Sequence, residues 1–432
     1  MNEQDKKLAA LLYDAHIPAM YKTKFEICGD HVDCVSDTVK NTLLRPGTLD
    51  RITPGSSVAI TAGSRGIANI VEITRAVVDE VKRVGAHPYI VPAMGSHGGA
   101  VAEGQTKILA HYGITEESVG APIKSSMKTK KVGETADIGL DVHVDAYALE
   151  ADFIIPVGRV KPHTDFKGKY ESGLMKMMAI GLGKQYGADI CHKLGMPNMP
   201  QSVFSFGSTI IANCSVPFGV AIIENAFHQT YDVVAVPSEL IAEEEPKLLG
   251  VAKGLVPAVP FDQVDVLIVE EIGKEYSGTG MDTNVTGRAP LMPRQKPFAE
   301  RIGVFDLTDK SFGNFNGIGM ADVTTRRFFD KCDLYATYPN NITASQTITG
   351  MIPPIMPSDE CCVKMCIKTV TRLCEASERV AWIKNTVSLE EFYVSEALLE
   401  DVAADDRLSI VSNACKAVFD EDGAFKGFKE MK

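Results

Sequence analysis

Short apolar runs alternate with stretches of helical spacing along most of the chain. Residues 57–63 form an apolar run that ends in glycine, residues 67–86 carry apolar side chains at helical intervals, and residues 87–99 run from a strand pattern into a glycine-rich loop. Such an alternation predicts a strand–helix–strand unit with buried strands. Further candidate strands lie at residues 151–163, 218–225, 264–273, 301–308, 333–339, 380–386 and 407–412.

A proline-punctuated stretch at residues 255–261 separates two regions that share this alternating pattern. Because such stretches interrupt regular structure, we place a domain boundary near residue 258. The predicted fold is α/β, with two α/β domains, mainly parallel sheets and an active-site cleft between the domains. The predicted domains are residues 1–258 and residues 259–432.

Charge and composition narrow the class of partner. The chain has 432 residues, 44 of them Lys or Arg and 56 Asp or Glu, for a net charge of −12. This balance argues against nucleic acid and membrane surfaces as partners. Residues 1–12 are polar, and no apolar run approaches the roughly 18 residues that span a bilayer. We therefore expect a cytoplasmic protein with a small-molecule partner; the oligomeric state stays open, and a homo-oligomer is allowed.

Ten cysteines in a chain of this length are too sparse for a disulfide scaffold, so free thiols are expected. The densest group, Cys361, Cys362 and Cys366, lies in an alternating stretch that predicts a strand. Free cysteine usually behaves as a small apolar side chain, which favours buried thiols over a metal site at this group.

Three polar loops follow predicted strands, at residues 63–66, 95–99 and 159–163. Ligands of open α/β sheets bind beyond the carboxyl ends of strands, so these loops are candidate binding loops. Their glycines and backbone N–H groups suit an anionic ligand. Arg65 could add a guanidinium group for a phosphate or carboxylate, and its alternative is a solvated loop arginine.

Two histidines lie in these loops. His97 lies between glycines with no apolar neighbours in sequence, and His163 follows a proline. Histidine titrates near pH 6.5, so two of them at one sheet edge could act as acid and base on opposite faces of a substrate. An exposed loop histidine without a function is the alternative for each.

Lys176 and His192 are the other candidates for chemistry. Lys176 is surrounded by Leu, Met and Ile in sequence, and burial would lower its pKa and make it nucleophilic; the alternative is a polar position on an amphipathic helix. His192 could ligate a metal or cap a helix. No HExxH or HxH spacing occurs, so a metal site would combine distant segments or arrive with a cofactor.

The chain contains, in order, GSHGGA followed by AEGQ, then VKPH, SGLMK and a histidine sixteen positions after that lysine. Taken together, these motifs resemble the nickel-pincer lactate racemase family. The resemblance covers about residues 57–195 by motif and the remainder by its α/β pattern alone.

The resemblance implies an isomerase, a racemase or epimerase that inverts C2 of a 2-hydroxy carboxylic acid such as lactate or a sugar acid. Hydride would leave and return through a nickel pincer nucleotide, made by dedicated cofactor-biosynthesis enzymes and attached covalently to the protein. In such an enzyme residues 1–258 would bind the cofactor and carry catalysis, and residues 259–432 would close over the substrate. The resemblance implies that Lys176 holds the cofactor covalently and that His192 ligates nickel. His97 and His163 would be the catalytic bases, and Arg65 would bind or polarise the substrate. Cofactor contacts would come from Ser64, Gly66 and Gly98.

The resemblance weakens in the predicted second domain. The family's substrate-binding Gln and Lys do not appear clearly at residues 278–288, where Asn284 and Arg288 are the candidate substrate residues. This polar segment favours a substrate more polar than lactate, although its residues also suit a simple turn. The alternatives are a metal-dependent hydrolase without nickel, a Schiff-base lyase using Lys176, or a non-catalytic binding protein.

Overall fold

The structure, a computed structural model, describes residues 2–343, 346–371 and 378–431. Two compact units are present, one spanning Cys28–Val256 and the other made of residues up to Ile27 together with those from Pro257 onward. Both units combine helices with parallel strands, which confirms the predicted α/β class. No helix in the described ranges is both long and apolar enough to cross a membrane.

The described strands are numbered in chain order. They are β1 (Met20–Phe25), β2 (Ser57–Ala62), β3 (His87–Pro92), β4 (Thr129–Glu134), β5 (Asp141–Asp145), β6 (Phe153–Ile155), β7 (Val157–Arg159), β8 (Phe218–Glu224), β9 (Thr230–Pro237), β10 (Gln263–Ile272), β11 (Phe298–Leu307), β12 (Val323–Thr325), β13 (Ile355–Met356), β14 (Val380–Ile383), β15 (Glu391–Ser395), β16 (Leu408–Ile410), β17 (Cys415–Phe419) and β18 (Phe425–Glu430).

The described α-helices are numbered in the same way, and a π-helical turn, Met177–Leu182, follows α6 directly. They are α1 (Glu3–Ala10), α2 (Val35–Leu43), α3 (Ile70–Arg83), α4 (Ala102–His111), α5 (Glu116–Val119), α6 (Leu174–Lys176), α7 (Lys184–His192), α8 (Met199–Asn213), α9 (Ile241–Leu255), α10 (Thr283–Thr286), α11 (Arg326–Asp330), α12 (Leu334–Thr343), α13 (Asp359–Lys368) and α14 (Leu399–Ala404).

The unit Cys28–Val256 is built on short sheets, of which the one around β2 is parallel. Strand β2 pairs in parallel with β3 and with β6, and helix α3 connects β2 to β3 as the sequence predicts. Val58 and Ile60 of β2 share a core cluster with Ile73 and Val77 of α3. This arrangement places the ends of β2 and β3, and the loops that follow them, at one edge of the sheet.

The predicted strand at residues 151–163 is two strands in different sheets. Strand β6 joins β2, whereas β7 pairs in parallel with β8, which pairs antiparallel with β9. Pro156 separates them; it has no N–H to donate to a ladder, and its carbonyl accepts from Val220 N at 2.8 Å. The chain therefore changes sheet at this proline.

The other unit contains a ten-stranded sheet. Its strands β13, β12, β11, β10 and β14 are parallel, and β15, β1, β17 and β18 extend the sheet antiparallel. Strand β10 buries Leu267 and Val269 in one cluster and Val266 and Ile268 in another, as expected for a strand covered on both faces.

The first residues of the chain belong to this sheet. Strand β1 pairs with β15, β16 and β17, so the residues up to Ile27 lie with the unit that begins at Pro257. The predicted division at residue 258 assigned them to the N-terminal domain instead. Strand pairing across more than 300 residues of sequence is the reason for the difference.

Two predicted strands are wrong, because the residues form helices. Residues 333–339 lie mostly in α12, where the Asp333 carboxylate accepts from Tyr335 N at 2.8 Å. The group Cys361, Cys362 and Cys366 lies in α13, whose start is capped by the Ser358 side chain accepting from Cys361 N. All three are free thiols and buried, as the sequence predicts for their environment.

Replacing Thr23, a buried residue in the centre of β1, tests the place of β1 in the sheet. Thr23 pairs with Phe392 on one side and Ile410 on the other. Thr23→Pro is expected to destabilise this unit by about 1–3 kcal/mol, because proline has no N–H for the ladder and leaves a buried acceptor without its hydrogen bond. The protein's single tryptophan, Trp382, is buried in the same sheet, so its fluorescence reports the unfolding transition.

The matched control is Lys24→Ala, a change at the neighbouring exposed position of the same strand. It should leave the transition within the range of ordinary surface substitutions, about 0.5 kcal/mol. An unchanged Trp382 transition in Thr23→Pro would contradict the assignment of β1 to this unit.

Candidate active site

Glycines let the ends of β2 and β3 approach the π-helical turn closely. A Cβ on Gly63 would lie 3.1 Å from the Met177 methyl carbon, and one on Gly95 would lie 3.2 Å from Cγ2 of Ile180. Gly95 N also donates to the carbonyl of Gly181 at 3.2 Å. Two of the predicted loops therefore pack against the segment that begins at Lys176.

The His97 loop owes its shape to two glycines and a glutamine. Gly98 has a φ of +70°, and a Cβ there would lie 2.6 Å from the carbonyl carbon of Gly104. A Cβ on Gly104 would overlap the Gly98 carbonyl oxygen. Gln105 Nε2 donates to the carbonyls of Gly95 at 2.9 Å and His97 at 3.3 Å. His97 is thus held at an exposed loop tip.

Tyr112 contacts the backbone of the Arg65 loop on both sides of Arg65. The Tyr112 hydroxyl donates to the Ser64 carbonyl at 3.4 Å, and its ring would lie 3.3 Å from a Cβ on Gly66. Further along, Ala68 N donates to Glu224 of β8 at 2.5 Å. These contacts fix the backbone of the loop and leave the Arg65 side chain exposed.

A buried carboxylate fixes the loop that carries His163. Glu171 is 0 % exposed and accepts from His163 N at 2.7 Å, from Gly168 N at 3.2 Å and from Lys253 Nζ at 2.7 Å. A buried carboxylate is stable only when it is paired and hydrogen-bonded, so it requires this loop geometry. The sequence reasoning missed Glu171, whose only local signal is a charged residue between Tyr170 and a glycine-containing turn.

The ring of His163 is held in one tautomer. It stacks on Phe166 with ring centroids 4.1 Å apart, and its Nδ1 accepts from Asp165 N at 3.0 Å. Neutral imidazole carries one N–H, which must therefore lie on Nε2. Lys176 Nζ lies 5.4 Å from the centroid of the same Phe166 ring, so Phe166 brings His163 and Lys176 together.

Lys176 lies at the end of α6, whose start is held by a second buried carboxylate. Glu245 of α9 accepts from Met175 N at 2.9 Å, and a Cβ on Gly173 would lie 2.5 Å from the Glu245 carboxyl carbon. Burial lowers the pKa of Lys176 to about 8; Asp165 opposes this shift, and the positive charge of Arg65 reinforces it. The amine is partly neutral near physiological pH.

His192 ends α7 with one ring nitrogen occupied and the other available. Its Nδ1 lies 2.6 Å from the carbonyl of Ala188, which can only accept, so Nδ1 carries the proton and Nε2 keeps its lone pair. Burial lowers the pKa of His192 and favours this neutral form. Among the described residues, no group of three or more His, Cys, Asp and Glu side chains could hold a metal ion.

The five charged or titratable candidates of this unit influence one another. Burial and the charges of Arg65 and Lys176 lower the pKa of His97, although its side chain still reaches solvent. Burial together with Lys176, and more weakly Arg65, holds the pKa of His163 well below its usual value. Lys176 also acts on His192. The structure therefore brings Arg65, His97, His163, Lys176 and His192 into one electrostatic cluster.

Asn284 and Arg288 belong to the other unit, at α10 and just after it. Arg288 is engaged within that unit: it donates to Asp322 at 2.5 Å and to the carbonyls of Met320 at 3.0 Å and Ala299 at 2.8 Å. These partners fix the position of the Arg288 side chain, whose role in binding substrate stays a prediction. Asn284 Nδ2 donates to Asp282, the residue that caps α10, at 2.7 Å.

A known domain family matches the first part of the chain. Residues 9–203 match the lactate racemase N-terminal domain, a range that includes the five-residue cluster and excludes Asn284 and Arg288. No curated protein matches the sequence significantly. Among solved structures, the lactate racemase apoprotein from Thermoanaerobacterium thermosaccharolyticum is similar at 13% identity and a TM-score of 0.45, over 66% of this chain and 74% of that chain.

The lowered pKa of Lys176 predicts unusual reactivity. Only the neutral amine attacks an acylating reagent, so half of Lys176 should be reactive near pH 8, well below the ordinary lysine value of 10.5. Acylation rates at Lys176 and at the exposed Lys24, measured by peptide mass spectrometry between pH 6 and pH 11, check this. Coinciding midpoints for the two lysines would refute it.

Proposed function

We propose that this chain, whose residues 9–203 match the lactate racemase N-terminal domain, is an isomerase that inverts C2 of a 2-hydroxy carboxylic acid. The observation that carries the proposal is the cluster of Arg65, His97, His163, Lys176 and His192, gathered from three strand-end loops and two helices. An anion-binding cation, two imidazoles and a separate amine are what such an inversion requires of a protein.

The residues fit a nickel pincer nucleotide. Lys176 offers an amine whose pKa of about 8 leaves it nucleophilic, which suits covalent attachment of the cofactor. His192 offers Nε2 as a ligand while the Ala188 carbonyl fixes the ring, the usual arrangement of a metal-binding histidine. When bound, this group supplies a centre that accepts and returns hydride. Enzymes that make the cofactor are the partners implied.

The chain's own task is to bind the acid and move the hydroxyl proton. Direct removal of the α-hydrogen as a proton is disfavoured because the neighbouring carboxylate already carries negative charge. Removing the hydroxyl proton as the hydride leaves avoids that cost and gives a transient 2-oxo acid. His97, held neutral by its lowered pKa, is suited to accept this proton, and Arg65 to neutralise the carboxylate.

The two histidines are not equivalent in this scheme. In the neutral ring of His163 the proton lies on Nε2, because Nδ1 accepts from Asp165 N. For His163 to take the hydroxyl proton of the opposite enantiomer at Nε2, its own proton must move to Nδ1 and that hydrogen bond must break. The Asp165 carboxylate, with Oδ2 4.0 Å from Nδ1, is then the nearby acceptor.

The acid is proposed to be more polar than lactate, such as a sugar acid. The support is the polar segment around α10, where Asn284 and Asp282 are joined by a hydrogen bond. The net charge of −12 disfavours an anionic substrate overall, so local cations such as Arg65 must attract it.

A Schiff-base lyase is a second candidate, favoured by the same lowered pKa of Lys176. The two functions differ in what remains on the lysine. A tethered nucleotide adds several hundred daltons to the peptide containing Lys176 in the denatured protein, whereas a Schiff-base enzyme leaves this lysine unmodified until it is trapped with a reductant.

The proposed inversion can be tested with cofactor-loaded protein and a panel of 2-hydroxy acids in deuterium oxide. Inversion without deuterium at the α-carbon is expected, because hydride returns without exchanging with solvent. His97→Ala and His163→Ala should each lower the rate by at least about 10²-fold, the scale of a lost general base.

His87→Ala is the matched control, since His87 is an exposed histidine at the opposite end of β3 from the His97 loop. It should retain the wild-type rate. Extensive α-deuteration would favour direct proton abstraction, and full turnover in both site variants would disprove the assigned roles.

A further inference from the structure

A buried lysine that has no part in the proposed chemistry lies midway in the sequence between Lys176 and His192. Lys184 begins α7, one residue after the π-helical turn, and is eight residues from each of the two. It is 0 % exposed and has a φ of +51°, a left-handed conformation that costs energy in a residue with a side chain. Its surroundings must therefore hold it in place.

The ammonium group of Lys184 joins three other elements. Its Nζ lies 3.1 Å from Oδ2 of Asp145, the equally buried last residue of β5, and donates to Oε1 of Gln105 on α4 at 2.9 Å. It also donates to the carbonyl of Pro92 at the end of β3. A buried charge is tolerated only with such partners, so these contacts tie α7 to β3, β5 and α4.

Gln105 extends this network to His97. Its amide oxygen faces Lys184, which can only donate, so its amide nitrogen must face the carbonyls of Gly95 and His97. A continuous chain of polar contacts therefore runs from Asp145 through Lys184 and Gln105 to the backbone of His97. An apolar pair in place of Lys184 and Asp145 could fill the space but could not orient Gln105.

We propose that Lys184, oriented by Asp145 and acting through Gln105, positions His97 relative to Lys176 and His192. The proposal rests on the proposed function for its catalytic meaning, because it makes Lys184 and Gln105 positioning residues of that reaction. The connection runs along the chain: His192 ends α7, Lys176 lies immediately before the π-helical turn, and Lys184 lies where the turn meets α7.

Two variants separate positioning from general stability. Gln105→Leu removes both hydrogen bonds to the loop carbonyls and the acceptor for Lys184. Gln105→Glu keeps an acceptor, now a carboxylate, for Lys184 but lacks donors for Gly95 and His97. The matched control is Thr48→Val: Thr48 is also buried in this unit, and its hydroxyl lies 2.6 Å from the Leu43 carbonyl, away from the site loops.

The readout is the imidazole resonances of His97 in the ¹⁵N-labelled full-length chain, assigned with His97→Gln and followed over pH. Both Gln105 variants are expected to move these resonances and to shift the titration of His97 toward ordinary histidine, because the loop leaves the cations Arg65 and Lys176. Thr48→Val should leave the His97 resonances unchanged, even where it lowers the unfolding temperature as much as the Gln105 variants do.

Kinetics provide the second readout. In cofactor-loaded protein, Gln105→Glu is expected to lower kcat for inversion by about 10²-fold, the cost of misplacing a catalytic group by about 1 Å, with a smaller change in KM. Thr48→Val should retain the wild-type kcat.

The proposal would be overturned if the folded Gln105 variants showed the same His97 resonances and the same His97 titration as Thr48→Val. If Gln105→Leu fails to fold, Gln105→Glu decides by the same criterion. If the wild-type protein inverts no hydroxy acid, the proposed function fails, but the resonances still show whether Gln105 positions His97.

Discussion

Ionisable side chains buried inside the unit Cys28–Val256 need hydrogen-bond partners, and here the partners include backbone groups of the site loops. Glu171 takes N–H groups from the His163 loop, Glu245 takes the N–H at the start of the Lys176 helix, and Lys184 with Gln105 takes the carbonyls of the His97 loop. If one of these loops moved away, a buried polar group would lose its hydrogen bonds, which costs free energy. Each loop is therefore held in place. The arrangement of the site depends on this constraint.

The same burial determines the protonation of the groups that would react. It lowers the pKa of Lys176 to about 8 and the pKa values of His163 and His192 below the usual histidine range. The positive charges of Arg65 and Lys176 also lower the pKa values of His97 and His163. A chain with a net charge of −12 thus presents neutral imidazoles and a partly neutral amine beside an exposed arginine. A base and an anion-binding group are then available at neutral pH.

Local pattern accounts for the elements that it predicted well and for those that it predicted wrongly. Strands β2 and β3 are continuous apolar runs, and α3 has apolar residues at helical spacing, so the sequence identifies each as a strand or a helix. The cysteine stretch of α13 alternates like a strand, but Ser358 and the acids after it are helix-start signals that outweigh the alternation. At Pro156 the missing N–H marks a break, yet nothing local indicates that the two halves join different sheets.

The sequence by itself determined the α/β class, the polar loops after the strands, and the candidate residues Arg65, His97, His163, Lys176 and His192, because these depend on local periodicity and on motif. Only the tertiary structure decided that β1 pairs with β15, that Arg288 is used by Asp322, and that Glu171, Glu245 and Lys184 hold the site loops. Those contacts join residues distant in sequence, and a buried charge carries no local pattern that reveals its partner. The partner becomes known only when packing removes the charge from water.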